Sequence, residues 1–183
     1  MSRTVKKSRC AFVVIKLMIE GETFLLMRRD RKWGDLNHLG GHERPQDSGK
    51  LSRAARRELL EEMPPLRAGK SFELVPVTGQ ISYGPIESRS AGCQVEYELQ
   101  FFLVKFTTHP RAIFEALGRR SDNVFIREDE LLAPTTHKVS GLVGVLNSGL
   151  EGGLGSLPYS WPDDVGSGLP GLAQMELPFA QGQ

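Results

Sequence analysis

The sequence predicts an α/β domain, and three features lead to this prediction. Short runs of β-branched and aromatic residues are separated by turn residues, one amphipathic helix is closed by two prolines, and a longer strand of alternating apolar residues follows that helix. A hydrophobic fraction of 39% with 25% charged residues is ordinary for a globular protein, and 183 residues suit one domain with an appendage.

The N-terminal part predicts a hairpin that leads into a glycine turn. Residues 10–19 are rich in β-branched side chains, and a Glu-Gly-Glu turn leads into a second strand at residues 23–27. A basic cluster that includes Arg28 and Arg29 follows this strand. A short extended stretch then ends on Gly40-Gly41-His42, where the glycines permit a close turn of the chain.

The next predicted element is a helix over residues 50–63. Pro64 and Pro65 end it, because proline lacks an amide donor and disfavours helical geometry in the residue before it. Strands are then predicted at residues 72–77 and 79–83, with Gly84-Pro85 as a break. The remaining predicted elements are a strand at 94–106, a helical turn at 112–117, a strand at 123–126, a helical turn at 128–132 and a closing helix at 136–146.

Three glutamates of this helix share its apolar side. With about 100° per residue and Leu51 set to zero, Glu58 and Glu62 lie at about −20° and +20°. Glu61 lies at about −80° in the same frame. Acids at this spacing repel each other on a partly buried face, and a hard divalent cation such as Mg²⁺ or Mn²⁺ would relieve the repulsion. The alternative is a solvated helix in which arginines and glutamates form ordinary i, i+4 pairs.

Charge and cysteine content restrict the function further. A formal net charge of +1 argues against a general nucleic-acid-binding protein. Cys10 and Cys93 lie in neither a CxxC motif nor a Cys/His cluster with zinc spacing. Lys16 interrupts the first apolar stretch, which favours a strand over a signal peptide, and no apolar run is long enough to span a membrane. We expect a cytoplasmic protein without a membrane partner and leave a homodimer open.

These residues resemble the Nudix family, whose signature reads Gly-x5-Glu-x7-Arg-Glu-U-x-Glu-Glu-x-Gly-U with U aliphatic. Gly41 takes the place of the first glycine and Asp47 that of the first glutamate, and residues 57–62 match the Arg-Glu-U-x-Glu-Glu segment completely. Nine residues rather than seven separate Asp47 from the arginine, and Pro64-Pro65 replace the last glycine and aliphatic residue.

The resemblance implies an α/β/α sandwich with a mixed central sheet over residues 8–147. It also implies hydrolysis of a diphosphate linkage in a small nucleoside diphosphate derivative, with Mg²⁺ or Mn²⁺ as cofactor. The implied metal ligands are Gly41, through its carbonyl, and Glu58, Glu61 and Glu62. Arg57 would orient a glutamate, and the general base would be Glu58, Glu62 or a later acid such as Asp122 or Glu115. Arg28, Arg29 and His42 are candidates for phosphate binding.

Residues 148–183 are rich in Gly, Pro and Ser and show no periodic apolar pattern, so we expect a C-terminal tail there. Its aromatic residues Tyr159, Trp161 and Phe179 are candidates to dock onto the domain or a partner.

Two other functions stay open. A Nudix-like ligand-binding or regulatory domain with weak or no turnover is favoured by Asp47, the longer loop and the proline exit. Isomerisation of a prenyl diphosphate would require a catalytic cysteine near the cleft, for which Cys93 is a weak candidate.

The roles of the histidines and aromatic residues are predicted from the residues that surround them in the sequence. His38, His109 and His137 have no partners at metal-ligand spacing and are predicted to be structural. Trp33 or Phe102 is a candidate to stack on a base, although aromatics at strand spacing are usually part of a core.

Overall fold

A computed structural model describes residues 5–117, 122–133, 137–167 and 169. The strands are β1 (Lys6–Val14), β2 (Lys16–Ile19), β3 (Glu22–Arg29), β4 (Leu36–Asn37), β5 (Leu39–His42), β6 (Phe72–Pro76), β7 (Ile81–Ser88), β8 (Cys93–Phe106) and β9 (Asn123–Arg127). The helices are α1 (Leu51–Glu62), α2 (Arg111–Leu117), α3 (Glu128–Leu132) and α4 (Gly141–Gly149). Short 3₁₀ turns cover Pro45–Asp47 and Leu154–Ser156.

The strands form two sheets. A five-stranded sheet has the order β5-β1-β8-β6, with β7 also paired to β8, and a four-stranded sheet has the order β2-β3-β4, with β9 paired to β3. Strands β1 and β8 are parallel, whereas β5, β6 and β7 are antiparallel to their neighbours, so the larger sheet is mixed as predicted. The long strand β8 pairs with β6 along its C-terminal half and with β7 along its N-terminal half.

Alternate residues of β1 supply two hydrophobic cores. Ala11 and Val13 pack with the apolar side of α1, whereas Phe12 and Val14 pack with residues of α4. Since successive side chains of a strand point to opposite faces, helices cover both faces of the larger sheet. This layering places α1 directly behind β1 and β5.

The predicted elements agree with the observed ones except in three places. The first strand, predicted as one element over residues 10–19, is divided at Ile15 into β1 and β2, which belong to different sheets. Gly84-Pro85 was expected to end a strand but lies inside β7, where a bulge between Tyr83 and Ile86 absorbs the proline. The closing helix begins at Gly141 and not at residue 136, because the hydroxyl of Ser140 accepts a hydrogen bond from the Leu142 amide at 3.3 Å and caps it there. Thr136 lies outside the described residues.

Residues 150–167, within the predicted tail, pack on the domain. Leu154 and Leu157 join one core, and Val165 joins the other. The buried Lys16 ammonium donates to the carbonyls of Leu154 and Gly155 at 2.9 and 3.2 Å and pairs with Glu128 at 2.9 Å. Of the three aromatic residues named in the predicted tail, Trp161 packs against a core, and the Tyr159 hydroxyl lies 2.8 Å from that of Thr23. Phe179 lies outside the described residues.

Within the described ranges, every helix is too short or too polar to cross a membrane.

Candidate active site

The glycine strand β5 lies directly against helix α1. Gly40 has a φ of +140°, and an added Cβ would lie 2.3 Å from the carbonyl oxygen of Ala11, so only glycine fits there. A Cβ added at Gly41 would lie 2.9 Å from the carboxyl carbon of Glu58. The missing side chain of Gly40 thus lets β5 approach β1, and that of Gly41 brings the strand backbone into contact with the carboxylate of Glu58.

Arg57 connects the loop before α1 to the helix. Its Nη2 and Nε donate to the two carboxylate oxygens of Asp47 at 2.9 and 3.2 Å, and Nη2 also donates to the His42 carbonyl at 2.9 Å. Nη1 donates to Glu58 at 2.5 Å. The hydrogen bonds from Arg57 lower the pKa of the buried Asp47 carboxyl below its ordinary value, so this side chain is ionised at neutral pH.

Two of the three glutamates lie on the buried side of α1. Glu58 is buried and the Glu62 side chain is only 11% exposed, whereas the side chain of Glu61, farther round the helix, is 45% exposed. Burial raises the pKa of Glu62 to about 7; Arg28 opposes this shift, and the negative charge of Glu58 adds to it. Glu58 and Glu62 are therefore close enough for their charges to interact.

Arginines neutralise these acids. Arg44 donates to Glu61 at 3.0 and 3.3 Å, Arg57 binds Glu58, and Arg28 binds Glu62. As the side chains stand, no three His, Cys, Asp or Glu residues in the described part of the chain are gathered into a metal site.

The residues present nevertheless fit a hard divalent cation. Carboxylate and carbonyl oxygens are the ligands that Mg²⁺ and Mn²⁺ prefer. A bound cation would also relieve the repulsion between two interacting carboxylates, one of which has a raised pKa. The arrangement differs from a closed metal shell mainly at Glu61, whose carboxylate is tied to the exposed side chain of Arg44. An exposed ion pair of this kind contributes little stability and exchanges partners readily.

A cavity of about 430 Å³ opens beside β5. Its lining includes the glycines of β5 together with Arg28, Trp33, His38, His42, Tyr97 and Arg89. Arg28 therefore reaches both the cavity and the carboxylate of Glu62. Arg28 and the glycine strand therefore connect the cavity to the acidic side of α1, although no residue of α1 lines the cavity itself.

The predicted phosphate-binding and general-base residues differ in their positions. Arg28 and His42 line the cavity. Arg29 donates to the Gly34 carbonyl at 3.4 Å. Asp122 pairs with Arg31 at 3.2 Å, and Glu115 lies 3.9 Å from Arg111 on its own helix. Arg29, Asp122 and Glu115 do not line the cavity, and neither do the residues that they contact.

The cavity also contains a cysteine that was not among the candidates. Cys10, rather than Cys93, lines it, with the sulfur 3.2 Å from Nδ1 of His42. Burial raises the pKa of the Cys10 thiol to about 11, so it is protonated at neutral pH and a poor nucleophile. Of the two aromatic candidates for base stacking, Trp33 lines the cavity and Phe102 is buried in the core beside α1.

Sequence reasoning did not single out Arg44 or Arg89. Arg44 lies in the loop after the glycines and contacts Glu61 and, at 3.7 Å, Glu58. Its position between the glycine and acidic halves of the signature is a signal that could have marked it. Arg89 lies between β7 and β8, and no local pattern indicates that this loop reaches the cavity.

Comparison with solved structures identifies the fold. A Nudix hydrolase from Nitrosomonas europaea matches with a TM-score of 0.50 at 20% identity over 84% of this chain and 97% of that chain. Shewanella oneidensis NrtR matches with a TM-score of 0.52 at 14% identity over 75% of this chain and 60% of that chain. NrtR complexed with a 27mer DNA matches with a TM-score of 0.50 at 14% identity, over 74% and 58% of the two chains.

The chain therefore has the Nudix fold, an α/β/α sandwich with a mixed sheet, as predicted from the sequence. The chain spans about three fifths of the length of the NrtR chains, 60% and 58%. No family model matches the sequence, and no curated protein matches it either.

Proposed function

We propose that this protein hydrolyses a diphosphate linkage in a nucleoside diphosphate derivative, such as a nucleotide, dinucleotide or nucleotide sugar, and that it requires Mg²⁺ or Mn²⁺. One observation carries the proposal: Glu58 and Glu62 lie side by side at the glycine strand, next to a cavity that Arg28 and His42 also line. A cleft with acids at one end and basic groups beside them suits a phosphate ester bound together with a cation.

Glu58, Glu61, Glu62 and the carbonyl of Gly41 are the proposed ligands of the divalent ion. When bound, such an ion would supply charge neutralisation for the phosphates and would lower the pKa of a coordinated water. Glu61 would exchange its Arg44 partner for this role, which its exposure permits.

The other proposed roles follow from contacts within the chain. Arg57 positions Glu58, because it is itself fixed by Asp47 and by the His42 carbonyl. Arg28 and His42 bind phosphate oxygens through charge-assisted or neutral hydrogen bonds. Attack on phosphorus also needs a group that accepts the proton of the water. Glu58 and Glu62 are the candidates on the helix, and Asp122 is the candidate from a later element.

A ligand-binding domain without turnover is the alternative function. Its support is the set of arginine partners described above, which neutralise all three glutamates without a cation. Such a domain would bind the same class of ligand in the cavity and leave it intact.

A prenyl diphosphate is a poor fit to this cavity. Five charged residues contribute to its lining, namely Arg28, Asp30, Asp35, Glu87 and Arg89. An isoprenoid chain buried among them would remove water from the charged groups and would offer them no hydrogen-bond partner in return. A polar ligand is therefore favoured.

A phosphate-release screen tests the proposal. Nucleoside triphosphates, dinucleotides, nucleotide sugars and ADP-ribose are incubated with the protein and Mg²⁺ or Mn²⁺, with a coupling phosphatase where needed. We expect turnover of at least one compound, its loss in EDTA, and a reduction of at least about 100-fold in the double variant Glu58→Gln, Glu62→Gln.

The matched control is Glu73→Gln, which changes an exposed acid on β6 and should leave the rate unchanged. Ligand binding without turnover of any compound, in the presence of either metal, would favour the binding domain. Equal rates in the double variant and the control would refute the assigned roles.

A further inference from the structure

His38 is a buried polar side chain without a partner. It is 2% exposed, and neither ring nitrogen has a hydrogen-bond partner among the described residues. Its ring packs edge-on against Phe101 with 6.0 Å between the ring centroids. A buried group that could form two hydrogen bonds and forms neither reduces the stability of the fold, so packing alone does not explain a histidine at this position.

His38 lines the same cavity as the glycine strand. The cavity volume of about 430 Å³ is within the range of roughly 300–1,000 Å³ that is usual for small-molecule sites. Burial lowers the pKa of His38 to about 4, so the ring is neutral at pH 7. The ring then carries one N–H donor and one acceptor nitrogen, which match the mixed donors and acceptors on the edge of a nucleobase. Both nitrogens are covered in this structure, so the ring has to turn toward the cavity to use them.

Trp33 provides a flat wall in this cavity. The ammonium of Lys32 and the guanidinium of Arg89 lie 4.6 and 5.0 Å from the Trp33 ring centroid, so a base that stacks on this ring takes the place of one of these cations. The backbone of Trp33 is held independently of its ring: its amide donates to Asp30 at 2.7 Å, and its carbonyl accepts from Lys138 at 2.7 Å. The indole is therefore presented on a fixed backbone.

We propose that His38 determines substrate specificity by forming hydrogen bonds to the edge of a nucleobase that stacks on Trp33. The ribose and phosphates then extend along the cavity toward Gly41 and Arg28, where the acidic side of α1 begins. This inference rests on the proposed function, because it assigns the cavity to the nucleoside part of the same substrate. It adds which side chain distinguishes one base from another.

Binding without hydrolysis tests the inference separately from catalysis. AMP, GMP, CMP, UMP and ribose 5-phosphate are titrated into the full chain by calorimetry in EDTA. We expect at least one nucleotide to bind about tenfold or more tightly than both ribose 5-phosphate and the weakest nucleotide.

His38→Phe should abolish that preference and leave the affinity for ribose 5-phosphate unchanged. The same substitution should leave the thermal midpoint equal or higher, because it replaces an unpartnered buried polar group with an apolar ring. A purely structural histidine would give the opposite result, a lower midpoint with unchanged binding.

His109→Phe is the matched control, since His109 also packs against an aromatic ring, that of Trp161, but does not line the cavity. Trp33→Ala is the second variant, which keeps the backbone contacts of Trp33 and should weaken all nucleotides together. If His38→Phe fails to fold, Trp33→Ala still tests whether a base stacks in the cavity, because unchanged nucleotide affinity would overturn the inference.

The inference is overturned if no nucleotide binds, if all five compounds bind alike, or if His38→Phe keeps the base preference. Base-selective binding that depends on His38, combined with no turnover in the phosphate-release screen, would support the inference while the proposed hydrolysis fails. Turnover that does not depend on His38 would overturn the inference alone.

Discussion

Replacing Asp47 by Asn should strongly destabilise the protein, although Asp47 is the residue at which the chain departs from the glutamate of the Nudix signature. The Asp47 side chain is 3% exposed and that of its partner Arg57 is 14% exposed. The substitution removes the charge from the carboxylate that accepts both donors of Arg57, and asparagine can offer only one oxygen acceptor. The guanidinium would keep its charge in a largely buried position.

The size of the effect follows from the partners that remain. Loss of one member of a buried ion pair typically costs about 3–5 kcal/mol. Arg57 would still bind Glu58 at 2.5 Å and the His42 carbonyl at 2.9 Å, which places the expected loss near the lower end, at about 3 kcal/mol at pH 7. Unfolding in urea, monitored by circular dichroism, measures this loss.

The effect should also depend on pH in a defined direction. The folded-state pKa of Asp47 is lowered, so its stabilising contribution is complete above the unfolded pKa of about 4 and is lost as the pH falls through the folded value. The difference between the wild type and Asp47→Asn should therefore be full at pH 7 and shrink below about pH 4.

Asp122→Asn is the matched control. Asp122 also pairs with an arginine, but that partner, Arg31, is 79% exposed, so the expected loss is about 1 kcal/mol or less. A loss below about 1 kcal/mol for Asp47→Asn, or equal losses in the two variants, would refute the conclusion that Arg57 holds the loop to the helix.

Three further predictions concern the acids, the glycine strand and the C-terminal segment. In EDTA, the raised pKa of Glu62 should make wild-type stability fall as the pH rises from about 4.5 to 7, by on the order of 3 kcal/mol, and urea titrations of Glu62→Gln should lack this fall. Gly41→Ala should reduce metal-dependent turnover at least tenfold with little loss of thermal stability, because its Cβ displaces only the carboxylate end of Glu58; unchanged turnover would contradict the proposed role of Glu58. Removal of residues 148–183 should prevent cooperative folding, because it exposes apolar core surface and takes two carbonyl acceptors from the buried Lys16. A truncated chain with an unchanged urea midpoint would show that the docked segment contributes nothing.

Local patterns predicted the part of the site that lies on one helix. The helix was expected over residues 50–63 and extends over Leu51–Glu62, because its periodicity and the prolines that follow are both local signals. The burial of Glu58 and Glu62 follows from the same periodicity. The contacts of Asp47 with Arg57 were not predicted, since they depend on the course of an irregular loop.

The cavity could not be predicted in this way, because it is formed by chain segments that are distant in sequence. His38 directly precedes the glycine strand and was predicted to be structural, but the other side chains of the cavity wall, such as Cys10, Tyr83 and Tyr97, come from three other strands. Arg89 contacts Asp35 across 54 residues of sequence. The segment after residue 150 was equally unpredictable, because its buried residues are spaced irregularly and are held by backbone contacts with Lys16.

Two of the three departures from the Nudix signature, the longer loop and the proline exit, leave the acids in position, for reasons that the contacts make clear. The longer stretch begins after Asp47, where Ser48 and Gly49 both adopt positive φ and turn the chain into the helix, so that Asp47 still reaches Arg57. At the other end, Met63 is fully buried and its amide donates to the Leu59 carbonyl at 2.8 Å, which completes the helix before the prolines turn the chain away. The orientation of Glu58 and Glu62 is thus determined by the glycine strand and by Arg57. If turnover is absent, its cause therefore has to be sought in the arginine partners of the acids or in the cavity, and not in a misplaced helix.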